Sequence, residues 1–387
     1  MKHLTTKLLI FALFVLTLLS AYNYFQKPFA ERFDSKQKEL ALNTPTPTPT
    51  KTPKKELGTR EKIAQLLTVP LDVNDLESEG TASAKMLDFI EDYDPGFVLY
   101  FGEKISTSAA ALATATVRSG FTEADYMPLI AVDHEGGLVQ RLNGEGFTKL
   151  EAWQKVVETY TPAQQKAVYN QSSRELLSVG VNIVFAPVVD LASGSAVLQS
   201  RAASNLDLTV AATTNFIYSF SQNGIMPVLK HFPGIGSITR DPHNAVSTIS
   251  LTKQDTEIFG QILDVFGNIG VMSTHVRLED KFAGKVCSLS EECLGKFLEL
   301  YPRILLFSDD LSMKAARAQV GSTQEKDLAL VAVEAIEAGN NVLVFGKGVE
   351  PVVLEQVIYA LQRKYDDSVS FRQKVEASLA KVLNLKK

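Results

Sequence analysis

The sequence has few of the residues that build metal and redox sites. Its 387 residues include two cysteines, five histidines and one tryptophan. No Cys-x-x-Cys, His-x-x-x-His or P-loop spacing occurs, so the sequence predicts no metal site and no cofactor. Long basic runs are also missing and the formal net charge is −5, which argues against a nucleic-acid partner.

The two cysteines, Cys287 and Cys293, flank an apparent strand exit and helix start. They could pair in an oxidising compartment. We favour the simpler expectation of two unpaired thiols.

Residues 1–30 have the composition of a membrane or signal segment. Lys2 and Lys7 precede the run Leu8–Ala21, which carries no charge and is almost wholly apolar. The uncharged stretch approaches the roughly 20 residues that span a bilayer, and the leading positive charge sends the following chain across. We favour an uncleaved signal anchor over a cleaved signal peptide, because Leu19-Ser20-Ala21 is a weak cleavage site. The expected location is extracytoplasmic, anchored to the cytoplasmic membrane, or secreted if the segment is cleaved.

Residues 31–55 differ again in composition. Proline and threonine alternate between Asn43 and Lys55, a pattern that forms neither a helix nor a central strand and predicts an extended, disordered linker. Residues 56–387 then form the folded domain. With 45% apolar and 21% charged residues, the chain has the composition of a globular protein with a full core.

Within residues 56–387, short β-rich runs alternate with amphipathic helical stretches. One helix begins at Thr161-Pro162 and ends before Gly180, with proline in its first turn and glycine after its last. Another follows a capping box of Ser322 and Glu325 and ends near Gly339. The predicted strands are Leu66–Val69, Gly96–Phe101, Leu129–Asp133, Asn182–Pro187, Val228–Phe232, Gly270–His275, Ile304–Asp309 and Asn341–Phe345.

Eight apolar strands, each followed by a helix, indicate a parallel sheet that is covered on its outer face. About 330 residues suit an α/β fold with a single (β/α)8 barrel of the TIM type. The alternative is an open, doubly wound sheet, which usually has fewer strands. No Gly-x-Gly-x-x-Gly turn follows the first strand, and this disfavours the dinucleotide-binding version of that alternative.

Polar side chains gather where the predicted strands end, which is where barrel enzymes place their active sites. Asp309 follows an apolar run and can point into the barrel mouth to attack an electrophilic carbon. Asp241 can orient His243 as a general acid/base. A helix cap or an ordinary loop would explain each residue singly, but not the joint cluster. Its members are Asp133, Lys230, His231, Asp241, His243, His275 and Asp309.

Three blocks of the sequence resemble the β-N-acetylhexosaminidases of glycoside hydrolase family 3. The first is Lys-His-Phe-Pro-Gly-x-Gly-x4-Asp-x-His, from Lys230 to His243. The second runs from Asp133 to Arg141 and the third from Ser308 to Met313. They occur in the family's order, and weaker similarity extends from about residue 62 to the C-terminus.

The resemblance implies a retaining exo-glycosidase that removes terminal β-linked N-acetylglucosamine, with peptidoglycan fragments as the expected source. It implies that Asp309 is the nucleophile, and that His243, assisted by Asp241, is the acid/base. The residues implied to hold the sugar are Asp133, Arg141, Arg201, Lys230 and His231. Four positions depart from the common pattern without removing a catalytic group, and these are His134, Leu138, Ile235 and Pro242.

Two other functions stay open. One is a different family 3 activity such as β-glucosidase, although those relatives generally take the acid/base from a second domain. The other is a non-catalytic glycan-binding protein on the cell surface, which would need no nucleophile.

Overall fold

The computed structural model describes residues 56–121, 126–191, 196–279, 281–318 and 326–387. The predicted signal segment and nearly all of the linker lie outside these residues. Residues Leu57–Lys387 form one compact unit. Among the described residues, every helix is too short or too polar to span a bilayer.

The strands of the described residues fall into one large sheet and two small ones. They are β1 (Leu67–Asp72), β2 (Phe97–Phe101), β3 (Leu129–Val132), β4 (His134–Gly136), β5 (Val139–Gln140), β6 (Val181–Val184), β7 (Met226–Phe232), β8 (Ser247–Ile249), β9 (Gly270–Ser273), β10 (Val276–Leu278), β11 (Leu305–Asp310) and β12 (Val342–Val344).

The α-helices surround the large sheet. Those of the described residues are α1 (Thr59–Ala64), α2 (Val73–Glu77), α3 (Thr81–Tyr93), α4 (Thr107–Ser119), α5 (Trp153–Thr159), α6 (Pro162–Ser178), α7 (Leu206–Gln222), α8 (Lys253–Leu263), α9 (Glu291–Leu300), α10 (Lys314–Arg317), α11 (Leu328–Ala338), α12 (Pro351–Asp367) and α13 (Val369–Leu385).

Eight parallel strands close into a barrel in the order β1-β12-β11-β9-β7-β6-β3-β2. Thr68 of β1 pairs with Phe97 of β2 on one side, and Leu67 pairs with Leu343 of β12 on the other. The backbone groups of the first and last strands therefore hydrogen-bond to each other, and the sheet has no open edge. The predicted (β/α)8 barrel is confirmed, and the open sheet is wrong.

Helix ends follow the local sequence where the structure describes them. Thr161 and Gln164 form a reciprocal capping box before Pro162, so α6 starts as predicted. Helix α11 ends at Ala338, and its C-cap Gly339 has a left-handed φ of 114°, which costs glycine little. The N-cap of α11 is Asp327, whose side chain accepts from the Ala329 N–H. The predicted Ser322/Glu325 box lies outside the described residues.

Aromatic side chains fill the barrel below its mouth. The Phe307 ring packs edge-on against Phe97 at 5.6 Å and against Phe185 at 5.5 Å between centroids. All three are fully buried, and each contributes about 2–3 kcal/mol by leaving water. Alternate residues of a strand face the same side, so Asp309 follows Phe307 on the inward face. The packed rings thus form a floor beneath Asp309.

The cysteine expectation is wrong, because Cys287 and Cys293 form a disulfide. A short 3-10 turn at Cys287–Leu289 leads directly into α9. This turn brings the two Cα atoms to 5.3 Å, inside the range that a disulfide bridges. The sequence shows the six-residue separation but not the turn, and the turn decides the pairing.

Candidate active site

A cavity of about 200 Å³ opens at the C-terminal ends of the barrel strands. It brings together residues from five barrel strands and the loops that follow the strands. All eight of the predicted site residues line it, namely Asp133, Arg141, Arg201, Lys230, His231, Asp241, His243 and Asp309. Every member of the predicted strand-end cluster except His275 therefore lines this cavity.

A glycine turn brings Arg141 back beside Asp133. Gly136 and Gly137 have φ angles of 92° and 58°, and a Cβ on Gly136 would lie 2.4 Å from the Glu151 carbonyl oxygen. Only glycine fits this turn. The returning Arg141 N–H donates to the Asp133 carbonyl at 3.2 Å. Arg141 Nε is buried and lies 3.9 Å from Asp133 Oδ2, and within the described part of the chain it has no hydrogen-bond acceptor.

Glu135 anchors two cations at the side of the cavity. Its Oε1 lies 2.6 Å from Lys230 Nζ, and its two oxygens accept from Arg201 Nε and Nη2 at 2.8 and 2.9 Å. Burial alone would raise the pKa of Glu135, but the charges of Lys230 and Arg201 lower it to about 2. Lys230 also donates to Asp133 Oδ1 at 3.0 Å. The network therefore holds four charged side chains in fixed positions.

Asp309 is a buried carboxylate that stays ionised. Its Oδ2 accepts from Thr274 Oγ1 at 2.8 Å, and its Oδ1 accepts from the Asp310 N–H at 2.9 Å. Burial would raise the pKa of Asp309, but the neighbouring His231 and His275 and these hydrogen bonds lower it overall. A fixed, charged and partly desolvated carboxylate is suited to nucleophilic attack.

His231 is oriented by a second carboxylate behind the cavity. Its Nδ1 lies 2.6 Å from Asp190 Oδ2, and the same carboxylate accepts the backbone N–H groups of His231 and Ile235 at 3.2 and 2.8 Å. Because the Nδ1 proton is held by Asp190, the Nε2 edge of the ring is left to interact with a ligand.

His243 and Asp241 form a pair on the loop after β7. His243 Nδ1 lies 2.8 Å from Asp241 Oδ1, which also accepts the His243 N–H at 2.9 Å. Partial burial acts to raise the pKa of Asp241, but the hydrogen bonds from His243 lower it. The pairing leaves Nε2 as the nitrogen that can exchange a proton. The side chain of His243 is 63% exposed, so a substrate can reach it.

Residues 58–385 match the family model described as "Glycosyl hydrolase family 3 N terminal domain". The chain belongs to glycoside hydrolase family 3. It is 34% identical over 202 residues to "Beta-hexosaminidase" of Haemophilus influenzae strain PittEE, covering 49% of this chain and 57% of the relative. The chain is also 32% identical over 253 residues to "Beta-hexosaminidase" of Nitrosomonas eutropha, covering 61% of this chain and 69% of that protein.

Several curated relatives are matched over little more than half of their length. Among solved structures, the β-N-acetylhexosaminidase of Beutenbergia cavernae superposes with a TM-score of 0.74 at 23% identity. That match covers 86% of this chain and 99% of the other. At this identity the structural likeness shows the fold, which is the barrel described above.

Two further histidines of this family 3 chain do not line the cavity. Burial lowers the pKa of His134 to about 3, and its Nε2 hydrogen-bonds with Ser172 Oγ at 2.8 Å. Burial also lowers the pKa of His275. Both imidazoles are therefore neutral near pH 7. His275, which the strand-end pattern grouped with the site, lies behind Asp309.

Three contributors to the site escaped the sequence reasoning, although each follows a usable signal. Glu135 lies two residues after Asp133 in the same block, and Asp190 ends the apolar segment that follows β6. Thr274 directly follows β9, so it occupies a strand end, next to the predicted cluster member His275. Each acts by holding another site residue.

Proposed function

We propose that the chain is a retaining, exo-acting β-N-acetylhexosaminidase that hydrolyses terminal β-linked N-acetylglucosamine. The observation that carries the proposal is the presence of Asp309 and the Asp241/His243 pair in one cavity. Membership of glycoside hydrolase family 3 and relatives named beta-hexosaminidase support the same reaction class.

The proposed reaction has two displacements at one carbon. Asp309 attacks the anomeric carbon while His243 protonates the departing glycosidic oxygen, which gives a covalent glycosyl-enzyme. His243 then removes a proton from water, and the resulting nucleophile breaks the bond to Asp309. Two inversions restore the β configuration, and the acid of the first step becomes the base of the second.

Charged side chains around the nucleophile are suited to hold one sugar. Lys230, Arg201 and Arg141 supply donors for hydroxyl and acetamido oxygens, and Asp133 accepts from hydroxyls. The aromatic floor beneath Asp309 closes the inner end of the cavity, since Phe185 lines it and packs on Phe307. A cavity with one closed end favours removal of a terminal residue.

Turnover of 4-nitrophenyl N-acetyl-β-glucosaminide by the full-length chain is the deciding assay. The corresponding β-glucoside, run in parallel, tests the β-glucosidase alternative. Hydrolysis of the first substrate and little of the second supports the proposal. Sugar binding without turnover of either would favour the glycan-binding alternative.

His243→Ala should lower kcat/KM for the aryl substrate by roughly 10²- to 10⁴-fold, the range of general acid/base catalysis. Asp241→Asn should cause a smaller loss, because it leaves the imidazole but weakens its orientation and charge. Leaving groups of decreasing acidity provide the discriminating measurement. In His243→Ala the loss should grow as the leaving group becomes poorer. A uniform loss across the series would contradict the acid role.

We further propose that the domain acts outside the cytoplasmic membrane on peptidoglycan fragments. Residues 1–30 motivate the location, since their apolar run follows two lysines. Extracellular protease added to intact spheroplasts should digest the domain, and muropeptides should release free N-acetylglucosamine. Protection from protease, with digestion only after lysis, would overturn the location.

A further inference from the structure

The segment from Cys287 to Cys293 packs directly behind the nucleophile. Ser288 is fully buried, and its Oγ lies 2.6 Å from His275 Nδ1. Its backbone N–H donates to the Thr274 carbonyl at 3.2 Å. The Thr274 hydroxyl in turn donates to Asp309 at 2.8 Å. Ser288 therefore contacts two adjacent residues, Thr274 and His275, and both of them hydrogen-bond to the strand that carries Asp309.

The hydrogen bonds of His275 have one consistent arrangement. Its Nε2 lies 3.0 Å from the Asp310 carbonyl oxygen, which can only accept, so Nε2 carries the proton. Burial keeps the ring neutral, and Nδ1 must then accept. Ser288 is consequently the donor, and its hydroxyl completes a chain from Ser288 through His275 to the backbone of Asp310, next to Asp309.

Ser288 itself is held from two directions. The disulfide fixes the preceding residue, Cys287, to Cys293 in the first turn of α9. On the other side, Asn340 Nδ2 donates to the Ser288 carbonyl at 2.7 Å, while Asn340 Oδ1 accepts from Ser273 Oγ at 2.6 Å. The segment is thus tied both to α9 and to β9, the strand that precedes Thr274.

We propose that Ser288, held by the Cys287–Cys293 disulfide, is a positioning residue for Asp309. It contacts no substrate and acts through Thr274 and His275. This role rests on the proposed glycosidase function, in which Asp309 must lie in line with the anomeric carbon. Small displacements of a reacting group are costly, because about 1 Å can reduce the rate by roughly 10²-fold.

Ser288→Ala should lower kcat for the aryl substrate by roughly 10- to 100-fold and leave KM within about twofold. KM should stay near its wild-type value because the residues around the sugar are unchanged. Ser290→Ala is the matched control, since Ser290 is buried in the same segment and caps α9 through the Cys293 N–H. It should lower thermal stability but keep the wild-type kcat. Equal kcat losses in both variants, or none in Ser288→Ala, would overturn the proposal.

The disulfide has its own test. Cys293→Ser should lower kcat in the same direction as Ser288→Ala, by a smaller factor, and reductant should then change nothing further. Reductant should lower kcat of the wild-type chain once thiol titration shows two free thiols. Unchanged kcat in the fully reduced, folded chain would remove the disulfide from the proposal.

A measurement without turnover separates this proposal from the glycosidase function. Carbon NMR of the Asp309 carboxyl, assigned by its loss in Asp309→Asn, reports the ionisation midpoint. In Ser288→Ala the backbone bond to the Thr274 carbonyl is kept, but the hydrogen bond to His275 is lost. The midpoint should move to higher pH, because a shift of His275 displaces the adjacent Thr274, which then donates less well to the carboxylate. The titratable neighbours His231, His275 and Asp310 are present in both proteins. An unmoved midpoint would contradict positioning, whereas an inactive wild type with a moved midpoint would contradict only the glycosidase function.

Discussion

Asp309→Asn should reduce turnover of an aryl N-acetyl-β-glucosaminide by roughly 10⁴- to 10⁶-fold, the loss seen when an enzyme loses its nucleophile. An amide has the shape of the carboxylate but cannot form the glycosyl-enzyme. Its oxygen can still accept a hydrogen bond from the Asp310 N–H, which Asp309 Oδ1 accepts at 2.9 Å. The variant should therefore fold and bind the sugar. Initial rates, together with calorimetric titration of N-acetylglucosamine, measure both parts.

The neighbouring carboxylate provides the matched control. Asp310 Oδ1 accepts from Ser312 N, Ser312 Oγ and Gly346 N at 2.8, 2.6 and 2.8 Å. Asparagine keeps an oxygen for these donors, so Asp310→Asn should cost far less activity than Asp309→Asn. Similar losses in the two variants would mean that local structure, and not a nucleophile, explains the effect.

The sequence predicts the barrel and most of its site for identifiable reasons. Phe307 and Asp309 lie two apart on one apolar strand, so the same alternation that buries the ring turns the carboxylate inward. Parallel strands of a barrel also end at one face, so polar residues at strand ends far apart in sequence become neighbours. This rule alone brings together Asp133 and Lys230, which are 97 residues apart.

What the sequence could not show depends on pairing in three dimensions. In the sequence, Glu135 resembles an exposed loop glutamate. Its role is visible only in the fold, where it binds Arg201, which is 66 residues away in the chain. The disulfide depends on the turn at Cys287–Leu289, which the five residues between the cysteines do not specify. Likewise, the proposed role of Ser288 depends on its hydrogen bond to His275, which only the structure shows. Ser288 has no sequence pattern that predicts this contact.

The Glu135 network is a set of buried charges that compensate each other. Glu135 and Asp133 supply two negative charges, while Lys230 and Arg201 supply two positive ones. Lys230 Nζ contacts both carboxylates, at 2.6 and 3.0 Å, and burial acts against its charge while these carboxylates raise its pKa. Such a network need not add net stability, but removal of one member leaves an uncompensated charge.

Glu135→Gln should therefore lower the free energy of unfolding by about 3–5 kcal/mol, the cost of breaking a buried pair. Glutamine nearly preserves the volume but removes the negative charge that faces Lys230 and Arg201, and only Lys230 still contacts the Asp133 carboxylate in the described network. Urea denaturation measures the loss. Glu151→Gln is the control, because Glu151 pairs with Lys155 at 3.0 Å on the surface, where water screens the pair. The control should behave as wild type.

The free energy of unfolding, measured as a function of acid pH, tests whether the charge of Glu135 causes the predicted loss of stability. Its folded pKa of about 2 lies below its ordinary value of 4.5, so the unfolded chain binds more protons between these values. The contribution of Glu135 is complete above about pH 4.5 and is lost as the pH falls towards 2. The difference between wild type and Glu135→Gln should shrink over this interval, since other carboxylates titrate in both proteins. A constant difference from pH 7 to pH 2 would mean that packing, and not charge, is what the substitution removes.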